Sequence, residues 1–368
     1  MKSFTSYTGF LHRFGVVGLN YFVSALFPFV LLKLAIVSDY GLFDFVVFES
    51  LFRGIVPLVS AGIPVFVIAY WRISKISISE ILGWTLFVQM TMAVVISVAL
   101  AIIVKEHFFL IFAISVSQIG SLDFAYVVLD KTESQLLRNF LSKIVVIFFA
   151  VTIVSLLKFR VNVPLFIILG HVLNSIFNLF YFRIKISLPS FEFLKQSFLY
   201  MTPVIYTSLL TGFDTFYLSQ YMDNDGLIDY NLNIRLVRIF VSIFAGFLPF
   251  FIIDENSFFN RRLIYFLSSI LGFSIVAMFF LLPLISDFLA VNLEFNPIYS
   301  LLMLSGVISN FLIAKHLISN ARIFIYMRLI LLQFILVMTL LCLELGAPYI
   351  IFLLDCVSVF SILIFTKK

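Results

Sequence analysis

Three arginines lie where the surrounding chain offers them no water. Arg53 falls eleven residues into an apolar run that begins at Leu42, and Arg238 eleven residues into one that begins at Leu227. At 1.5 Å per residue each sits ~16 Å along a helix, about the midplane of a ~30 Å hydrocarbon core. Arg235 is three residues before Arg238 and shares its helical face. A charge at that depth costs at least ~2.5–3.5 kcal/mol on insertion scales and marks a functional site by default. Two cations one turn apart repel each other in a low dielectric. Their face makes sense as the lining of a water-filled cavity that receives an anion. Planar guanidinium forks suit bidentate phosphate recognition. Glu49, four residues before Arg53, stands in the favourable order for an intrahelical ion pair, so a structural pair is the competing reading there. Arg235 and Arg238 have no carboxylate three or four residues away, which leaves another helix or a ligand to answer them.

Other ionisable groups fall inside apolar runs. Asp123, Asp214, Asp355 and His171 could carry protons or bind a cation, and each equally reads as an interhelical hydrogen-bond partner. Asp214, beside Thr211 and Thr215, is the strongest of them. None has metal-ligand spacing, and no cofactor is expected. Lys33, Lys143 and Arg328 stand close enough to run ends for snorkelling to explain them. Asp44 and Asp229 begin two of the runs, where the helix dipole favours a carboxylate. Asp223–Asp225, followed by Gly226, reads as a hydrated turn and helix start. Pro28, Pro64, Pro203 and Pro249 interrupt helices and serve either as hinges or as static kinks.

These residues are positioned by a duplication. Shifted by 185 residues, Asp39–Ile68 falls on Asn224–Ile253 without a gap. Gly41, Asp44, Arg53 and Pro64 land on Gly226, Asp229, Arg238 and Pro249. The chain is 62% hydrophobic and 12% charged with mean hydropathy +1.16, which excludes a soluble globular domain. Apolar stretches long enough to span recur twelve times, the fourth at His107–Leu129 and the fifth at Phe140–Leu157. With the N-terminus inside, fifteen Lys and Arg fall on the cytoplasmic side and only Lys105, Lys158 and Arg160 outside, as the positive-inside rule requires. Both termini are then cytoplasmic. The net charge of +5 is spread over short loops, so nucleic acid is not an expected partner. Cys342 and Cys356 sit in apolar runs as packing residues, and no signal-peptide cleavage site follows the first run.

The fold class is therefore all-α integral membrane, with about twelve helices in two similar six-helix lobes around a central cavity. Residues 1–183 form the first lobe, 184–195 an interfacial cytoplasmic linker and 196–368 the second lobe. Six spans is an even number, so the repeat is parallel, and transporters built this way bind substrate between the halves.

The stretch TPVIYTSLLTGFDTFYLSQYMDNDGLIDYNLNIRLVRIFVSIFAGFLPF, and its counterpart KLAIVSDYGLFDFVVFESLFRGIVPLVSAGIPVFV, resemble the polysaccharide flippases of the multidrug/oligosaccharidyl-lipid/polysaccharide (MOP) exporter superfamily, of the Wzx O-antigen type. The resemblance runs over essentially the whole chain. It implies a bacterial inner-membrane protein that flips undecaprenyl-diphosphate-linked glycan repeat units outward. The lipid bilayer, that glycan, a glycan polymerase and a chain-length regulator are the implied partners. Arg53, Arg235 and Arg238 match the cationic cavity of such flippases, and Arg13 matches roughly. Energy would come from a gradient, of H+ or Na+ among others. No G-x-x-x-x-G-K-[ST] occurs for ATP, and an enzyme is not expected. Three alternatives stand beside this. A drug or metabolite antiporter of the same superfamily would favour cavity carboxylates. A major-facilitator transporter lacks its usual loop here, where WRISKISISE stands. A glycan polymerase or other membrane glycosyltransferase would carry a substantial external loop, and none exceeds about a dozen residues.

Overall fold

A computed structural model describes residues 7–37, 42–60, 76–103, 107–129, 131–157, 162–198, 223–245, 282–289 and 297–312, with a few single positions between them. Every regular element among these is helical. Contacts divide the chain into two compact units, Met1–Asn224 and Asp225–Lys368.

The first unit contains α1 (Tyr7–Val37), α2 (Leu42–Ser60), α3 (Ile78–Ile103), α4 (Phe108–Ser117), α5 (Asp123–Val128), α6 (Thr132–Thr152) and α7 (Val163–Phe182). Four segments here are long and apolar enough to cross a membrane: Gly15–Leu34, Ile78–Ile102, Thr132–Ser155 and Val163–Phe182. The protein is a multi-pass membrane protein. Helix starts are written locally. Ser77 accepts from the Glu80 amide at 3.4 Å, the Ser-x-x-Glu pattern of a capping box. Asn162 accepts from the Leu165 amide at 3.1 Å, ahead of Pro164 in the first turn. α1 runs unbroken through the buried Pro28.

Two spans differ from the sequence expectation. The fourth is not one helix: α4 stops at Ser117 and α5 begins at Asp123. The turn between them contains Gly120 at φ 86°, in the region that favours glycine. An interrupted helix inside a membrane is tolerated only where protein or water satisfies its backbone. Here α3 and α7 do so. Gln89 accepts from the Gly120 amide at 3.0 Å and donates to the Ser121 carbonyl at 3.1 Å. Asn178 donates to the Gly120 carbonyl and Ser175 to the Ser117 carbonyl, each at 3.1 Å. Tyr126 closes the network by donating to Asn178 Oδ1 at 2.7 Å.

The fifth span begins at Thr132, not Phe140, and continues through a π-helical turn, Ile153–Leu157. Its first two turns are polar, which hides a helix from a hydropathy reading. The correction matters for Lys143. It does not snorkel from a helix end: it lies near the middle of the span, buried, on the face that packs against α1.

α7 ends at Arg183 in the left-handed conformation (φ 48°, ψ 47°). Residues 184–190 then cross α3, and 191–198 form a short helix begun by Ser190, which accepts from the Phe193 amide at 3.2 Å. Phe193 is buried with its ring 5.1 Å from both Phe66 and Trp84. A Cβ on Gly83 would meet the Lys185 carbonyl at 2.4 Å, so only glycine lets this segment lie on α3. Ile186, Leu188 and Phe191 are exposed among Arg183, Lys185 and Lys195, which are also exposed.

In the second unit the described elements are α8 (Asn224–Ala245), residues 282–289 and α9 (Pro297–Leu312). α8 starts at Asn224, with Asp223 exposed before it; the expected helix start is observed, and Asn224 and Asp225 belong to the helix rather than to a turn. Tyr230 to Val237 are buried without exception. Eight consecutive residues cover every face of a helix, so α8 runs through protein there rather than along lipid.

Candidate functional site: buried cations on α2, α6 and α8

α2 and α8 are apolar helices with a polar stripe. On α2, Glu49 and Ser50 are buried and Arg53 is half-buried. Arg53 Nε donates back to the Glu49 carbonyl at 3.3 Å, which draws the guanidinium along the helix towards its N-terminus. On α8, Asn231, Arg235 and Arg238 follow one another at spacings of four and three, a single face. Asn231 and Arg235 are buried and Arg238 is half-buried. Buried Asn233 donates to Asp229 Oδ1 at 3.0 Å and to its carbonyl at 3.1 Å. Asp229 is thus tied within its own helix, one turn from the polar face. One nitrogen on each arginine, namely Arg53 Nη1, Arg235 Nε and Arg238 Nη1, is buried and makes no hydrogen bond. Each residue has further contacts through its other atoms. A guanidinium offers five N–H donors in a fixed plane, so the three retain donor capacity for planar oxyanions.

A fourth cation, Lys143, was not expected to be buried. Lys143 Nζ donates to Ser24 Oγ at 2.7 Å and to Asn139 Oδ1. Asn139 Nδ2 in turn donates to Asn20 Oδ1 at 2.5 Å and to Ser24 Oγ at 2.7 Å. The Ser24 hydroxyl donates to the Asn20 carbonyl at 2.8 Å. This polar knot joins α1 to α6. A sequence signal for it existed: Asn139 and Lys143 are four apart, and so are Asn20 and Ser24, each pair on one helical face.

The remaining expected residues fall as follows. Asp123 opens α5 and its side chain is exposed. His171 is half-buried in α7, its ring 4.9 Å from that of Phe52 on α2. Arg13 lies on α1, with its side chain outside the described residues. Asp214, Asp355, Pro64, Pro203 and Pro249 also lie outside them. Among the described residues no group of three or more His, Cys, Asp or Glu could hold a metal. At the end of α7, Arg138 donates to the Phe177 carbonyl at 3.0 Å and lies 3.4 Å over the Tyr181 ring, a cation–π contact.

No protein-family model matches the sequence, and no curated protein matches it significantly. Solved structures do. A multidrug resistance MATE family transporter of the MOP superfamily, in an outward-facing conformation, superposes with a TM-score of 0.55 at 13% identity. That likeness covers 96% of this chain and 94% of the other. The inward-facing conformation of such a transporter gives 0.53 at 12% identity, over 96% and 92%. A MATE structure in a bent conformation gives 0.53 at 12%, over 95% and 91%. Over nearly its whole length, the chain therefore has the fold seen in these MATE transporters.

Proposed function

We propose that this protein is a flippase that moves undecaprenyl-diphosphate-linked oligosaccharide repeat units, of O-antigen or capsule type, from the cytoplasmic to the periplasmic leaflet. The observation that carries the reading is the set of cations on two helices related by the 185-residue shift: Arg53 on α2, with Arg235 and Arg238 on α8, each on a polar stripe of its helix. Guanidinium groups held at membrane depth suit a diphosphate. The lipid tail remains in the bilayer while the headgroup crosses, and no bond in the substrate changes, so the protein is not an enzyme. Alternating access between two similar six-helix lobes, with an interfacial linker at 184–195, accomplishes the crossing. Arg13 and the prolines Pro28, Pro64, Pro203 and Pro249 are assigned to the cavity edge and to hinges. The setting is a bacterial inner membrane with both termini cytoplasmic, beside a glycan polymerase and a chain-length regulator.

A second reading has its own support, since the solved neighbours named above are multidrug transporters. An ion-coupled drug antiporter of cationic substrates would rely on Glu49, Asp123, Asp214 and Asp355 instead. The deciding experiment follows lipid-linked glycan in cells lacking this chain. Complete repeat units accumulating on the cytoplasmic leaflet support the flippase. Units flipped but unpolymerised point to a polymerase, and unchanged glycan with altered drug tolerance points to the antiporter.

A further inference from the structure

Residues 183–198 do not form a span, yet much of their exposed surface is apolar. Leu188 is 77% and Phe191 81% exposed, and Ile186 and Phe198 are exposed with them. Large apolar side chains gathered in so short a stretch mark an interaction surface. The segment is nevertheless fixed to the first unit. Phe193 is buried against Phe66 and Trp84, and Ser190 caps the short helix. Gly83 admits the Lys185 carbonyl and the Ser187 hydroxyl against α3. Ser187 is turned onto α3, and its neighbours on either side, Ile186 and Leu188, are left on the outside. Two markers give the depth. The segment leaves α7 at Arg183, directly after the apolar stretch Val163–Phe182. It meets α3 at Gly83, near the start of the apolar stretch Ile78–Ile102. Five residues separate Gly83 from Ile78, ~7.5 Å along the helix. An amphipathic segment in a membrane interface buries its apolar face ~5–10 Å into the boundary between headgroups and acyl chains. The charges agree with that setting. Arg183, Lys185 and Lys195 are exposed, and the segment's only acid, Glu192, accepts a hydrogen bond from Gln196 at 2.6 Å.

We propose that residues 183–198 are a docking surface for anionic phospholipid, in the leaflet at which α7 ends. Ile186, Leu188 and Phe191 enter the acyl chains just beneath the headgroups, and Arg183, Lys185 and Lys195 hold the headgroup phosphodiesters. This goes beyond the flippase reading and needs only that the chain spans a membrane. Long basic side chains lay their stems along apolar surface and keep their charge at the headgroup level. Cations interleaved with apolar residues therefore meet both layers at once. Basic residues at a membrane surface are drawn to anionic lipid over a range set by the Debye length. The contacts with α3 hold the segment in place in the absence of lipid, so little ordering is required on docking. A protein partner is the other occupant such a surface could take. The two depth markers favour lipid, because they put the apolar side chains at the level where lipid surrounds whatever the protein leaves uncovered.

The test uses the full chain in phosphatidylcholine nanodiscs, with an environment-sensitive fluorophore on Leu188→Cys in a Cys342→Ala, Cys356→Ala background. Leu188 is exposed, so the label displaces no packed side chain. Traces of phosphatidylglycerol or phosphatidylcholine, each spin-labelled near the headgroup end of an acyl chain, serve as lipid quenchers, and iodide serves as the aqueous one. The label should resist iodide. Spin-labelled phosphatidylglycerol should quench it several-fold more than spin-labelled phosphatidylcholine at equal content. That preference should fall towards unity when Lys185→Gln and Lys195→Gln are combined. It should also fall in ~1 M salt, where the Debye length shrinks to ~3 Å from ~10 Å at ~0.1 M. The salt series needs no charge variant, so it decides the question if the double variant fails to fold. Equal quenching by the two lipids at every salt concentration overturns the proposal. A label quenched by iodide and by neither lipid also overturns it, and leaves the face to a protein partner. Flipping enters neither readout, so either failure leaves the flippase reading standing.

Discussion

α2 and α8 share one sequence pattern, and four differences separate their chemistry, two of them setting Val46 and Phe48 of α2 against the amides Asn231 and Asn233 of α8. Under the 185-residue shift Arg53 answers to Arg238, but Glu49 answers to Ile234 and Ser50 to Arg235. The buried stripe of α2 thus holds one acid and one base, whereas that of α8 holds two bases flanked by amides. An acid one turn from an arginine lowers the cost of burying both. Without one, the cost on α8 is higher and has to be met from outside the helix. On the proposed reading the two helices divide the labour: α2 sets an acid one turn from its arginine, and α8 supplies the cations for an anionic headgroup.

The comparison can be broken most decisively at α8. Arg235→Ala and Arg238→Ala should each lower lipid-linked glycan flipping by ~10- to 100-fold, since a hydrogen bond to a charged group contributes ~1.5–3 kcal/mol. Flipping in proteoliposomes, with protein quantified by immunoblot, measures it, and unchanged rates for both would remove α8 from substrate binding. Arg53→Ala should cost less flipping, about tenfold, because Glu49 one turn away already offsets part of that charge, although the change also lowers protein level by stranding Glu49. Adding Glu49→Gln to Arg53→Ala should restore part of the lost protein level; no recovery would mean that Glu49 does not balance Arg53. Making α2 resemble α8 with Ser50→Arg buries a second cation where Ser50 has no exposed surface. Membrane-inserted protein should fall several-fold, at the ~2.5–3.5 kcal/mol insertion cost of a mid-membrane arginine. The smallest effect should come from Asn233→Ala, which removes the hydrogen bond to Asp229. A loss of ~1 kcal/mol in thermal stability is expected, with flipping unchanged.

Much of this was legible in residues alone. The duplicated helices were visible because Gly, Asp, Arg and Pro recurred at one offset in a chain where apolar matches mean little. The sixth apolar run of the sequence, Val163–Phe182, coincides with α7, because charged or polar residues bound it on both sides. The broken fourth span was missed because hydropathy integrates over Gly120 instead of stopping at it. Its sequence, Gln118-Ile-Gly-Ser-Leu-Asp123, carries a breaker followed by polar starters. The Lys143 centre was missed for a related reason. Thr132, Glu133, Gln135 and Arg138 made the first turns of α6 look like loop, which moved the expected boundary to Phe140 and put Lys143 at an end. The bonds that tie Lys143 and Asn139 to Asn20 and Ser24 of α1 depend on helix packing across the unit, which no local pattern encodes.

The break after Ser117 also bears on how the protein is made. The ten residues of α4 reach ~15 Å, half of a ~30 Å core, so α4 cannot cross the bilayer by itself. Its ties to α3 through Gln89 are available as soon as it is synthesised. Those to Ser175 and Asn178 come from residues 58 positions further along the chain. Until α7 emerges, the carbonyls of Ser117 and Gly120 lack these partners, at several kcal/mol for each such group in hydrocarbon. Insertion of this stretch is therefore completed by the arrival of α7, and a ribosome stalled before Ser175 would leave the first unit with an unsealed helix.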